Sequence, residues 1–117
     1  MTIEERPSGS VMVLELDGRM TVEALSDMPL TANVRRLLQE GRRQILLNLE
    51  NVPYLDTAGI CSIVEAYVMT RRQKGSLKLL HLTAQVRKVL AVTRLLTILE
   101  VYESEADAVA SFGSAVS

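Results

Sequence analysis

With 117 residues, 48% of them hydrophobic and 23% charged, the chain has the size of one ordinary domain, 1–117, able to bury a core without staples. Thirteen basic against fourteen acidic side chains leave a net charge of -1, and aromatics at 3% with no Trp give neither the field nor the stacking surface of a nucleic-acid binder. One cysteine, Cys61, excludes an internal disulfide. No apolar run reaches a bilayer span and MTIEERPSGS lacks a secretory layout, so the expected location is cytoplasmic, without membrane insertion.

Thr2 to Arg6 alternates weakly and stops at the turn signal Pro7-Ser8-Gly9-Ser10, after which Val11 to Leu16 is β-rich. This reads as a marginal hairpin, with Pro7 and the charges of Glu4, Glu5 and Arg6 suited to an outer strand. Residues 18 to 29, GRMTVEALSDMP, are the least periodic stretch and are expected to cross the sheet to a first helix. Ser26 or Asp27 can cap that helix, and Pro29 lies near its first turn. Leu30, Val34, Leu37 and Leu38 then form an apolar stripe opposite Arg35, Arg36, Gln39 and Glu40, and Gly41 stops the helix.

The run Ile45 to Leu49 is continuous enough for a strand buried on both faces, and Ile60, Ile63, Val64 and Tyr67 step at helical intervals. That second helix is expected to run to about Lys74 and end at Gly75, with Arg71, Arg72 and Lys74 complementing its negative end. Leu77 to Leu82 is the next strand. It carries His81, the only histidine, with no second ligand at metal spacing, so no metal is expected. Thr83 can cap a third helix with Val86, Val89 and Leu90 facing inward. Ile98 to Tyr102 is the last strand, and Ser104 with Asp107 approximates a capping box for a closing helix anchored by Val109 and Phe112. The order implies an α/β fold: a mostly parallel mixed sheet of about five strands with an antiparallel N-terminal edge and about four helices.

Between the central strand and its helix lies a tight junction. Asp56 can cap the helix, placing Thr57 and Ala58 in the first turn with Gly59 beside them, and Cys61 one turn further as a small buried hydrophobe. Two readings stand side by side. The junction is either ordinary helix-start chemistry or a bare platform that another molecule approaches, with Thr57 in the positive field of the helix start as a phosphate acceptor.

The stretches LLNLENVPYLDTAGICSIVEAY, KGSLKLLHLTAQVRKVL and LLTILEVYESEADAVASF resemble the bacterial anti-sigma factor antagonists, the stand-alone members of the STAS domain family. That family's junction reads Asp-Ser-Ser/Ala/Thr-Gly-Leu/Ile, and Asp56-Thr57-Ala58-Gly59-Ile60 matches it with Thr in place of the phosphorylated Ser. The resemblance implies a STAS fold and no enzymatic activity or cofactor. It also implies phosphorylation of Thr57 by an anti-sigma factor serine/threonine kinase, which the unphosphorylated protein binds to release a sigma factor, and reversal by a PP2C-type phosphatase. Asp56, Ala58, Gly59 and Ile60, with Gly18, Arg19 and Thr21 of a neighbouring loop, are the implied partner contacts. Thr21 replaces a frequent acidic residue, and Arg94 stands where many relatives have Gly. The alternative implied role is an accessory subunit on the ATPase of an ABC lipid transporter or on a signalling scaffold.

The residues themselves agree with a non-catalytic reading. They offer no nucleophile paired with a base and no nucleotide-binding glycine loop. A phosphorelay receiver would need an Asp where Asn48 stands, and a neutral amide lacks the anionic oxygen for that transfer.

Overall fold

The computed structural model describes residues 1–27 and 29–113, the side chain of residue 27 excepted. Five strands form one sheet in sequential order: β1 (Thr2–Ser8), β2 (Val11–Asp17), β3 (Gln44–Asn51), β4 (Ser76–Leu80) and β5 (Val101–Tyr102). β1 is antiparallel to β2, and the other neighbours are parallel. The expected edge hairpin is therefore present, with Pro7 opposite Met12 on an outer strand whose missing N–H costs no ladder bond inside the sheet.

Because each parallel strand lies next to its predecessor, right-handed crossovers bring the intervening helices to one face. These are α1 (Val22–Asp27), α2 (Leu30–Gln39), α3 (Thr57–Arg72) and α4 (Ala84–Val92), while α5 (Glu105–Gly113) closes the chain. The alternation of β3 shows the consequence: Ile45, Leu47 and Leu49 enter the main core with Leu30, Val34, Leu37, Ile63, Ala66, Val86 and Leu90. Leu46 points the other way, into a smaller cluster with Val11, Val13, Leu80, Ala108 and Phe112.

On that reverse face polar ties supplement the small apolar contact of α5. Arg6 bridges Glu15 and Glu105 at 2.6 Å each, and the Lys78 ammonium donates to Ser111 Oγ at 2.9 Å. The bonds from Arg6 hold the Glu105 carboxyl below the usual range although desolvation pushes the other way. Asn48 also faces this side, where its amide donates to Glu15 at 2.6 Å and its oxygen accepts from the Glu50 N–H.

Several local expectations are corrected. The aperiodic stretch 18–29 contains α1, a six-residue helix too short to display a full apolar stripe. Ser26 does not cap α2: its hydroxyl donates to the Glu23 carbonyl, and the residue at the cap position is Pro29. The side chain of Asp27 lies outside the described residues. Thr83 occupies the cap position of α4, but its hydroxyl donates across to the Val52 carbonyl at 2.8 Å, so a tertiary bond replaces the local one. The last strand is reduced to Val101–Tyr102 because Leu95–Thr97 winds into a 3₁₀ turn, entered through Arg94 at φ +63°, the conformation for which Gly is better suited. The Gly41 stop stands, with φ +87°.

Candidate functional site

β3 runs out at Asn51, and the chain crosses the sheet end through 52–56, pinned by the buried side chains of Val52 and Leu55. A second segment lies alongside. The Gly18 N–H donates to the Asn51 carbonyl at 3.0 Å, Met20 N–H to Tyr54 at 2.9 Å, and Asp56 N–H to the Met20 carbonyl at 3.1 Å. These bonds and the parallel bridge Met20↔Leu55 fix the 18–21 loop against the junction. Gly18 takes φ +116°, a conformation L side chains rarely adopt.

Asp56 then serves two helices at once. Its Oδ1 accepts from the Gly59 N–H of α3 and its Oδ2 from the Val22 N–H of α1, both at 3.1 Å. Desolvation pushes its carboxyl upward, but the N–H groups of Gly59, Val22 and Ala58 outweigh that and hold it below the ordinary value. The expected cap is present, and it doubles as the clasp between the two helices. Thr21 completes the start of α1, its Oγ1 accepting from the Ala24 N–H at 3.4 Å.

Gly59 has a different reason from the one expected. It is buried, and a Cβ added there would lie 2.6 Å from the Met20 carbonyl oxygen and 2.8 Å from Leu55 Cβ. What approaches closely is the chain's own 18–21 loop, so the missing side chain at Gly59 is accounted for within the fold. Ala58 and Ile60 are half-buried and pack against the main core. Thr57 alone in this turn is exposed, at the first position of a sixteen-residue helix. Cys61, expected to be buried, is exposed one turn further along.

Around Thr57 the structure gathers residues from distant parts of the sequence. Arg19 lies over the Tyr54 ring at 4.8 Å, a cation–π contact that joins the loop to the junction from outside. Tyr54 and Val22 are among the exposed large hydrophobics, Val22 at 58%. Sequence reasoning missed both; the available signal was a large aromatic and an aliphatic residue in otherwise polar, aperiodic segments. With both Asp56 oxygens turned to backbone N–H groups, the arrangement presents an alcohol at the positive end of a helix, without an adjacent base to activate it among the described residues. It is an exposed hydroxyl at a helix start.

A family model for the STAS domain matches residues 2–108. Among curated relatives, the anti-sigma F factor antagonist of Paenibacillus polymyxa is 26% identical over 113 residues, covering 92% of each chain. Among solved structures, an anti-sigma factor antagonist from Mycobacterium paratuberculosis aligns with a TM-score of 0.82 at 15% identity, over 95% of this chain and 92% of its own. The phosphorylated form of the Bacillus cell fate determinant SpoIIAA aligns at 0.71 and 18% identity, over 94% and 98%. A five-strand sheet in sequential order, a capped helix start at Asp56-Thr57-Ala58-Gly59-Ile60 and a family match across nearly the whole length place this chain in the STAS domain family.

Proposed function

We propose that the protein is an anti-sigma factor antagonist whose unphosphorylated form binds an anti-sigma factor serine/threonine kinase, frees a sigma factor, and is released when the kinase esterifies Thr57. The observation that carries this reading is the exposed Thr57 at the head of α3, on a junction fastened from beneath by Asp56, Gly59 and the 18–21 loop. The names of the relatives support it.

The docking surface consists of Thr57 with the exposed side chains of Arg19, Val22 and Tyr54, while Asp56, Gly18, Thr21, Ala58, Gly59 and Ile60 hold that surface in shape. A phosphate adds roughly 1.5 to 2 negative charges beside the ionised Asp56. Burying that charge against a partner need cost only about 3 kcal/mol to weaken binding more than a hundredfold. A PP2C-type phosphatase regenerates the binding form.

The test is incubation with ATP and the cognate kinase, followed by mapping of the product by mass spectrometry. Phosphate on Thr57 is expected; phosphate elsewhere, or none, refutes the assignment. Thr57→Ala should retain partner binding, whereas Thr57→Glu should lose most of it. Recovery of a transporter ATPase in place of a kinase in affinity purification would move the protein to the accessory-subunit role.

A further inference from the structure

At the far end of α3, about 20 Å from Thr57 at 1.5 Å per residue, a second surface has a different character. The α2–β3 turn and the α3–β4 turn are in backbone contact: the Ser76 N–H donates to the Arg43 carbonyl at 2.8 Å, and Gly75 passes so close to that carbonyl that it has no room for a Cβ. This contact gathers Arg42 and Arg43 with Arg71, Arg72 and Lys74, next to Arg35 on α2, and all six are exposed. Among the described residues none of the six is in an ion pair, whereas neighbouring Arg36 is engaged by Glu5 and Glu40. Helix-end electrostatics account for Arg71 and Arg72 in the last turn of α3, but Arg42, Arg43 and Lys74 lie outside both helices.

Between the two helices runs a groove lined by Arg35, Leu38, Gln39, Met69, Arg72 and Gln73. Its floor is apolar, formed by Leu38 and Met69, and the Arg35 guanidinium leans over the Met69 sulfur at 3.8 Å. Cations on both walls of an apolar floor match a ligand that is itself acidic with an apolar side chain set among its charges. Single-stranded nucleic acid would call for stacking rings along the groove, a duplex would use the cations but leave the apolar floor unfilled, and a lipid surface would call for apolar side chains that protrude. A thioether floor adapts to the shape of an inserted side chain.

We propose that this groove is a second docking surface, which takes an acidic segment of a partner protein carrying one apolar anchor residue. Binding here is independent of the state of Thr57 and leaves the other end of α3 free, so one partner can hold the protein while another reads its phosphorylation.

The probe is a short fluorescent peptide of Asp and Glu with one central Leu, titrated into the intact protein at low and moderate salt. Binding should shift the Met69 methyl resonance, weaken with salt, weaken several-fold when the Leu is replaced by Ser, and weaken at least about tenfold in Arg35→Glu/Arg72→Glu. Arg35→Gln/Arg72→Gln should fall between, with unchanged circular dichroism, and Thr57→Glu should bind the peptide normally, which separates this proposal from the preceding one. Equal affinity for the Leu and Ser peptides, an unmoved Met69 methyl, or undiminished binding by the double variants would overturn it. So would binding of phosphatidylglycerol vesicles or a single-stranded oligonucleotide in preference to the peptide.

Discussion

The two ends of α3 solve the same packing problem and then diverge. At each end a glycine admits a carbonyl oxygen from another segment: Gly59 faces that of Met20, and Gly75 that of Arg43. At the N-terminal end the approach delivers a loop carrying Arg19 and a helix carrying Val22, fastened by one carboxylate, so that a hydroxyl stands on a supported rim. At the C-terminal end it delivers a turn carrying two exposed cations, Arg42 and Arg43, held by backbone contact alone among the described residues. There the helix is closed by a Schellman arrangement, Gly75 N–H to the Thr70 carbonyl at 2.8 Å and Lys74 N–H to Arg71 at 2.9 Å. The left-handed position belongs to Lys74 at φ +63°, not to Gly75, which corrects the stop expected at Gly75. A small residue at a helix end can therefore mark close approach by the fold itself, and a motif glycine is no measure of an open surface.

The strongest way to break this comparison is to fill both approaches. Gly59→Ala should cost about 1–3 kcal/mol in urea denaturation, because the atom in the way is a backbone carbonyl held by the Asp56 N–H, and Gly59→Arg should prevent stable folding. Gly75→Ala should cost a similar amount yet leave the phosphorylation proposed for Thr57 undiminished. Full stability of Gly59→Ala would return Gly59 to the docking surface.

Asp56 sharpens the contrast, since among the described residues the other end of α3 has no side chain that caps two helices as it does. Asp56→Ala should lower the urea midpoint through loss of the cap and loosen α1 as well, seen as faster amide exchange over 22–25. The pH dependence follows from its lowered pKa: the unfolded chain takes up the proton first, so the contribution is complete above the unfolded value and disappears as pH falls through the folded one. Asp56→Asn should flatten the acid limb of the stability curve below about pH 4. An unchanged limb would assign acid sensitivity to other carboxylates.

Smaller effects are expected at the exposed positions. Lys74→Gly should stabilise by up to about 1 kcal/mol by relieving a left-handed non-glycine residue. Thr57→Ala should change stability by less than about 0.5 kcal/mol, because the side chain is exposed and Asp56 supplies the cap. A larger loss would make Thr57 part of the scaffold rather than its display.

Reading the chain alone determined the features that depend on near neighbours. The buried run Ile45–Leu49, the stripe Leu30, Val34, Leu37 and Leu38, the Asp56 cap and the Gly41 stop are local periodicities and terminal hydrogen bonds, fixed within a few residues. What only the tertiary structure decided are the pairings across long separations. The second oxygen of Asp56 reaches Val22, the Thr83 hydroxyl chooses Val52 over its own helix, Gly59 meets Met20, and Arg19 covers Tyr54. Each depends on which strand lies beside which, and a sheet brings together residues whose types carry no record of one another.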